Sequence, residues 1–317
     1  MQRYITTAFF GVVQFPLCRF YSSRIFSWIG CFSLSIIGAS LAYASEFRGP
    51  VAFAQTKQAV SFGQRPSGSA SLDKLRAWII SQLRGSGGQL STDAFQGQTP
   101  SGPIPMTNLI LKFSGTSGKA IVVSGHYDTK NIPMVNFVGA NDGGSSTGFL
   151  LEFAHAVAKA KHRDDIYVVF FDGEEALGNW TETDSRYGSR HLSAKWLADG
   201  TLSHIRALIN IDMIGDKELD LSNDENSSQP LRTKLRSIAD RLGYTKYLRT
   251  DPAAIDDDHK PFAELGVNVL DIIDLNYGPN GGYWHTAQDT VDKLSMRSFQ
   301  IVGDLTMALV QDLDSGN

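Results

Sequence analysis

Five short apolar runs, each followed closely by polar residues, constrain this chain more than any other feature. They are Leu109-Ile110-Leu111, Ile121-Val122-Val123, Tyr167 to Phe171, Leu208 to Met213 and Val267 to Ile273. Their length and β-branched or aromatic content are those of buried strands. Helical patterns fall between and after them, near 146–160, 189–198, 229–242, 257–265 and 296–312. An earlier helix is marked by Leu72, Leu75, Trp78, Ile79 and Leu83 on one face, with Ser71 as its expected N-cap. Strands apolar on both faces, alternating with helices, fit a largely parallel sheet, because the crossover helices cover both of its sides. The expected fold class is α/β: a single-domain, three-layer αβα sandwich with a mixed, mostly parallel central sheet, spanning 69–317. The pattern shows no internal repeat and no second domain.

Composition matters mainly for what it excludes. A formal net charge of -4 with 20% charged residues gives no basic face for nucleic acid. The N-terminus is more specific. Arg19 and Arg24 lead into an almost unbroken apolar stretch from Ile25 to Ala44, which ends in the small-x-small triplet Ala42-Tyr43-Ala44. Residues 1–44 are therefore expected to be a signal peptide or, left uncleaved, a membrane anchor through 25–44, since about 20 apolar residues span a bilayer. Either form exports the protein, to the periplasm or the medium. A second triplet, Ala52-Phe53-Ala54, offers another cleavage point, which would expose Gln55. Residues 45–68, rich in Gly, Ser, Gln and Pro, are expected to form a flexible lead-in. Both cysteines, Cys18 and Cys31, lie in the exported segment, so the mature chain carries no thiol or disulfide.

In an open α/β sheet, ligands bind beyond the carboxyl ends of the strands, where the loops converge. The chemistry-bearing residues lie there. Ile121-Val122-Val123 leads into Gly125-His126-Tyr127-Asp128, and Val168 to Phe171 into Asp172-Gly173-Glu174-Glu175. Leu208 to Ile211 leads into Asp212, and the last strand runs toward Trp284-His285-Thr286. Gly139 to Gly144, containing Asp142, precedes a helix whose N-terminal amides face the same edge. Alone, a histidine after a strand or a Glu-Glu pair is an ordinary loop feature. Together, His126, Asp142, Glu175, Asp212 and His285 place five zinc-type ligands on one rim. Neighbouring residues in an extended segment point in different directions, so one glutamate of the 174–175 pair can bind metal while the other moves protons.

This series resembles the co-catalytic zinc aminopeptidase superfamily, over roughly residues 70–317. Three stretches are similar to one branch of it, the glutaminyl-peptide cyclotransferases. They are Phe170 to Ala176 with Trp180 and Asp184 to Leu192, then Asp257-Asp258-His259-Lys260-Pro261-Phe262, and Trp284 directly before His285. The resemblance implies a zinc aminopeptidase-like fold and one zinc ion held by Asp142, Glu175 and His285. It further implies Glu174 as general acid and base, and Asp212 with Asp257 as a carboxyl pair sharing a proton. Trp180 and Trp284 would wall the pocket, with an indole N–H free to donate to substrate. The implied partners are peptide or protein N-termini bearing glutamine, and the implied state is a monomer. Two features depart from the branch: Gly125 and the absence of mature cysteines remove the disulfide of animal cyclases, and Asn276 to Tyr283 is longer and richer in glycine. His126 and Asp212 leave a second ion open, which makes an exported two-zinc aminopeptidase the alternative.

Overall fold

Side-chain alternation along the central strands sets the layering of the computed structural model, which describes residues 47–316. The elements run α1 (Gly49–Val60), α2 (Ala70–Leu83), β1 (Gln89–Thr99), β2 (Gly102–Phe113), β3 (Ala120–His126), α3 (Gly144–Val157), β4 (Asp165–Phe171) and α4 (Tyr187–Ala198). They continue β5 (Ile205–Asp212), β6 (Leu221–Asp224), α5 (Gln229–Leu242), β7 (Leu248–Ala253), α6 (Lys260–Glu264), β8 (Val269–Ile273) and α7 (Met296–Asp314). The main sheet has the order β1-β2-β4-β3-β5-β8. Strand β3 is parallel to both β4 and β5, and β5 is parallel to β8. The β1–β2 hairpin joins β4 antiparallel. Ile121, Val123, Ile209 and Ile211 face one core, shared with α1, α2, α3, α5 and α7. Val122, Leu208, Val169 and Phe171 face the other, closed by Leu192 and Trp196 of α4 and Phe262 of α6. The mixed, mostly parallel three-layer arrangement is the one expected.

Three local expectations need correction, and some strands were not anticipated. The stretch 45–68 is not a flexible lead-in, because 49–60 form α1. Its helical character is tertiary in origin. Small residues let α1 lie close against α3, and a Cβ at Gly148 would meet Thr56 Oγ1 at 2.2 Å and the Ala52 carbonyl at 2.4 Å. The segment after it is also tied down, since the wholly buried Arg65 donates to the carbonyls of Gly63, Val138 and Gly139. The cap of α2 is Ser69, which accepts the Leu72 N–H at 3.1 Å, whereas the Ser71 hydroxyl donates to the Gln64 carbonyl. The pattern over 257–265 yields a helix only at Lys260–Glu264, with Pro261 in its first turn and the residues before it looping toward the sheet edge. Strand β1 and the small β6–β7 sheet had no strong sequence signal; β1 is a largely exposed edge strand with polar residues on both faces.

The expected signal peptide or anchor lies outside the described residues, among which no helix is long and apolar enough to cross a membrane. The second triplet, however, falls inside α1, where Ala52 is wholly buried. Before it, Phe47 packs on Phe149 with ring centroids 4.8 Å apart, and Arg48 pairs with the buried Glu152 at 2.8 Å. Cleavage after Ala54 would remove both contacts. Phe47→Ala is expected to cost about 3–5 kcal/mol of stability, measured by chemical denaturation. A chain beginning at Gln55 should unfold at lower denaturant than one beginning at Ser45, and equal midpoints would show α1 to be dispensable.

Candidate active site

The parallel strands end at one level, which is what gathers the polar residues. His126 closes β3 and Asp212 closes β5, each two residues beyond the paired Ser124 and Asn210. Gly125 is needed at this point: a Cβ there would lie 2.5 Å from the Ile211 carbonyl oxygen and 2.9 Å from Ser146 Cβ. His126 Nε2 is 3.1 Å from Asp212 Oδ1 and 3.3 Å from Asp142 Oδ1, and Nδ1 is 3.5 Å from Asp128 Oδ1. Burial opposes a proton on this ring, but the surrounding carboxylates, led by Asp212, outweigh burial and raise its pKa well above the usual value.

Asp142 stands just before α3, ahead of a left-handed Gly143. Its backbone is held by Asp289, whose carboxylate accepts the N–H groups of Asn141 at 2.7 Å and Asp142 at 3.1 Å and the Tyr277 hydroxyl at 2.8 Å. Asp289 is pushed up to about 7, by burial first and then by the charge of Asp142. Glu174 and Glu175 follow β4 through a left-handed Gly173, and Asp128 accepts both of their backbone N–H groups, at 3.2 and 3.4 Å. His285 Nε2 lies 3.1 Å from Asp142 Oδ2 and 3.1 Å from Glu175 Oε1. Burial alone would lower His285, yet its bonds to Asp142 and Glu175 lift it to about 10. Burial would likewise raise Asp142, but His126 and His285 hold it far below the ordinary carboxylate range.

These groups fit a zinc ion. One ligand atom each from Asp142, Glu175 and His285 lie within 4.8 Å of one another. Asp142 Oδ2 is buried without a well-aligned hydrogen bond, which leaves a lone pair directed at the cluster. Two carboxylates and an imidazole are a zinc donor set with room for a further ligand. His126, Asp142 and Asp212 form a second such group. A third, Asp224–His259–Asp271, is built differently: His259 Nε2 faces Asp224 at 3.2 Å while Nδ1 faces Asp271 at 3.6 Å. The ring there bridges two acids instead of gathering them around one point.

A cavity of about 450 Å³ opens beside the first group and is lined by Glu174, Asp212, Asp257, Trp180 and Trp284 as well as the three candidate ligands. Glu174 is raised well above the usual range by burial and by the charges of Glu175, Asp257 and Asp258. Asp212 is raised to about 7, by burial and by Asp257, against the pull of His126. Asp257 Oδ2 accepts the Asn210 amide at 2.9 Å, and the same amide donates to Asp271 at 3.2 Å, which ties the pocket loop to the layer beneath. Trp284 stacks on His285 with centroids 4.3 Å apart. Every predicted site residue except His126 thus lines the cavity; His126 lies behind Asp142 and Asp212. Of the two indoles, that of Trp180 is not free for substrate, because its N–H donates to Asp256 Oδ2 at 2.9 Å. Sequence reasoning also missed the supporting acids. Asp128 was visible within its motif without a role, whereas nothing local marks Asp289.

Residues 108–310 match the model of Peptidase family M28, and the chain belongs to that family. Within it the chain is similar to glutaminyl cyclases. It is 40% identical to the glutaminyl cyclase of an Acidobacteriales bacterium, whose crystal structure it matches with a TM-score of 0.83 over 86% of this chain and 96% of that one. It is 28% identical to the glutaminyl-peptide cyclotransferase of Drosophila melanogaster, over 71% of this chain and 70% of that protein. The glutaminyl-peptide cyclotransferase-like protein of Bos taurus is 30% identical, over 71% of this chain and 66% of its own.

Asp289 touches no predicted ligand side chain, yet it fixes the backbone that aims Asp142. Asp289→Ala is expected to weaken zinc retention roughly 10–100-fold, the usual cost of losing an outer-layer partner. Competition with a chromophoric chelator measures this. An unchanged affinity would show that α3 alone positions Asp142.

Proposed function

We propose that this protein converts the N-terminal glutamine of peptides or proteins into pyroglutamate with release of ammonia. The cavity carries the reading. Trp180 and Trp284 are its exposed edge, Ile255, Ile273 and Leu275 line its wall, and the carboxyl groups of Glu174, Asp212 and Asp257 are its buried part. At about 450 Å³ it suits one terminal residue better than an extended peptide. The similarity to proteins named as glutaminyl cyclases supports the same activity.

In the reaction the α-amino nitrogen attacks the side-chain amide carbon of the same residue. A carbon–nitrogen bond forms to close the lactam, the bond to the amide nitrogen breaks, and ammonia leaves. Nucleophile and electrophile belong to one residue, so the site mainly holds a cyclic geometry. Asp142, Glu175 and His285 would hold zinc, which when bound supplies Lewis-acid polarisation of the amide carbonyl. Glu174, made a stronger base than a solvated carboxylate by its burial, takes the proton of the attacking amine and returns it to the departing nitrogen. Beside it lies Asp212, raised to about 7 by burial and, against the pull of His126, by the charge of the neighbouring Asp257. The aromatic wall limits entry of water, whose attack would give glutamate instead. The apolar stretch 25–44 supports the further proposal that the protein works outside the cytosol, as a released or anchored monomer.

A second reading, a two-zinc aminopeptidase, is favoured by one observation: His126, Asp142 and Asp212 could hold another ion. Mass spectrometry of a glutamine-initiated peptide separates the two. A cyclase gives a product lighter by one ammonia with every residue retained, and a chelator abolishes it. Glu174→Gln should lower kcat by roughly 10²–10⁴-fold while zinc content holds. Release of the first residue instead would establish the aminopeptidase.

A further inference from the structure

We propose that Asp256 is a positioning residue that sets the pocket wall by fixing the indole of Trp180. The proposal rests on the cyclase reading for its substrate and on geometry for the rest. Trp180 lies in the stretch 176–186, which contains no helix or strand, and the ring is 38% exposed. No secondary structure therefore holds the ring in place. Two contacts do. The indole N–H donates to Asp256 Oδ2 at 2.9 Å, and the ring faces the Arg186 guanidinium 5.8 Å from its centroid.

The acceptor is itself immobilised. The other oxygen of Asp256 accepts from Arg186 Nη1 and lies 3.3 Å from Lys260 Nζ. Glu182 completes the group, 3.0 Å from Arg186 and 2.9 Å from Lys260. Arg186 has a buried side chain and a left-handed backbone (φ 50°) ahead of α4, so it cannot easily relax away. Two acids and two bases thus join the Trp180 loop to the segment before α6. That segment also carries Ile255 and Asp257 into the cavity, and the Asp224 carboxylate accepts its Ile255 N–H at 2.9 Å.

The consequence is a division of labour across the pocket. The hydrogen-bonding capacity of Trp180 is already used by Asp256, so the indole acts as an apolar wall with one fixed orientation. A wall contact is made equally in the bound substrate and in the transition state, so losing it raises KM and leaves kcat nearly unchanged. Asp256 is not among the converging zinc ligands, and its carboxylate is occupied by Trp180, Arg186 and Lys260.

Steady-state kinetics with a glutamine-initiated peptide test this in the full exported chain. Asp256→Ala should raise KM roughly five- to twentyfold with kcat within about twofold, the scale of one charge-assisted hydrogen bond. Asp256→Asn, which keeps an acceptor, should restore most of the affinity. Trp180→Phe should mimic Asp256→Ala, and combining the two should add little further. An independent readout is the Trp180 indole N–H resonance, assigned by its loss in Trp180→Phe. It should move and exchange faster with solvent in Asp256→Ala and stay near its place in Asp256→Asn. If Asp256→Ala lowers the melting temperature and kcat together while KM holds, the residue is merely structural and the proposal falls. An unmoved indole signal overturns it too. The indole measurement needs no turnover: a wild-type protein that fails to cyclise sinks the functional reading, and the clamp is still judged by its resonance.

Discussion

Asp128, Asp142, Glu174, Glu175, Asp212 and Asp257 are all buried at one edge of the sheet, and the rest of the site follows from how their charge is offset. Two unit charges 4 Å apart repel by about 4 kcal/mol even at an effective dielectric of 20. Each carboxylate therefore needs a donor, a proton or a cation. Asp128 accepts two backbone N–H groups, and Asp257 accepts an amide. Asp142 and Asp212 share one face of His126. Among the described residues none donates a hydrogen bond to the Glu174 carboxyl, with His126 Nδ1 4.0 Å away, and burial raises its affinity for a proton. Asp142 and Glu175 converge on one imidazole, with Lys130 Nζ 3.5 Å from Glu175 Oε2, and a cation between them would offset further charge. The candidate metal site and the proposed acid–base residue are two outcomes of the same crowding.

The scaffold tolerates this because its stability comes from elsewhere. Two apolar layers clamp the sheet on both faces, and the acids occupy only the edge where strands end. Backbone strain is spent at the same edge. His285, Met213 and Arg186 all have positive φ without being glycine, at about 1–3 kcal/mol apiece. Each is held by its neighbours: His285 by two carboxylates, and Arg186 by Glu182 and Asp256. Met213, which lines the cavity, directly follows Asp212 where the chain leaves β5, and its carbonyl accepts the Asn141 amide at 3.1 Å.

What the sequence revealed divides along the same line. The central strands and the ligand-type residues were legible because each acid or histidine directly follows its own apolar run, so position along the chain is also position in space. What was hidden depends on contacts between distant segments. Helix α1 has an unremarkable composition and is helical because α3 offers it Gly148. Strand β1 is a polar edge strand whose only marker is its partner β2. Asp289 reaches Asp142 from 147 residues away. Trp180 lines the pocket, but its N–H partner Asp256 sits 76 residues on and looks like one of three consecutive aspartates. Ser69 and Ser71 are two residues apart and chemically alike; only the direction in which the chain enters α2 decides which one caps it.

His126 concentrates the remaining choice in the chemistry. A proton on its ring and a second cation beside it are alternative ways to neutralise the same two carboxylates, Asp142 and Asp212. A hydrolase must bind and activate a water, and a second cation serves that end. An intramolecular cyclisation brings its own nucleophile, so one polarised carbonyl and one proton carrier suffice, and any ordered water beside the carbonyl competes. On the cyclase reading, His126 is best used as a hydrogen-bonded counter-charge lying behind the cavity wall, where it holds Asp142 and Asp212 apart from each other without bringing water to the substrate. The same residues thus serve either reaction. What decides between them is whether imidazolium or metal occupies the space between two buried acids.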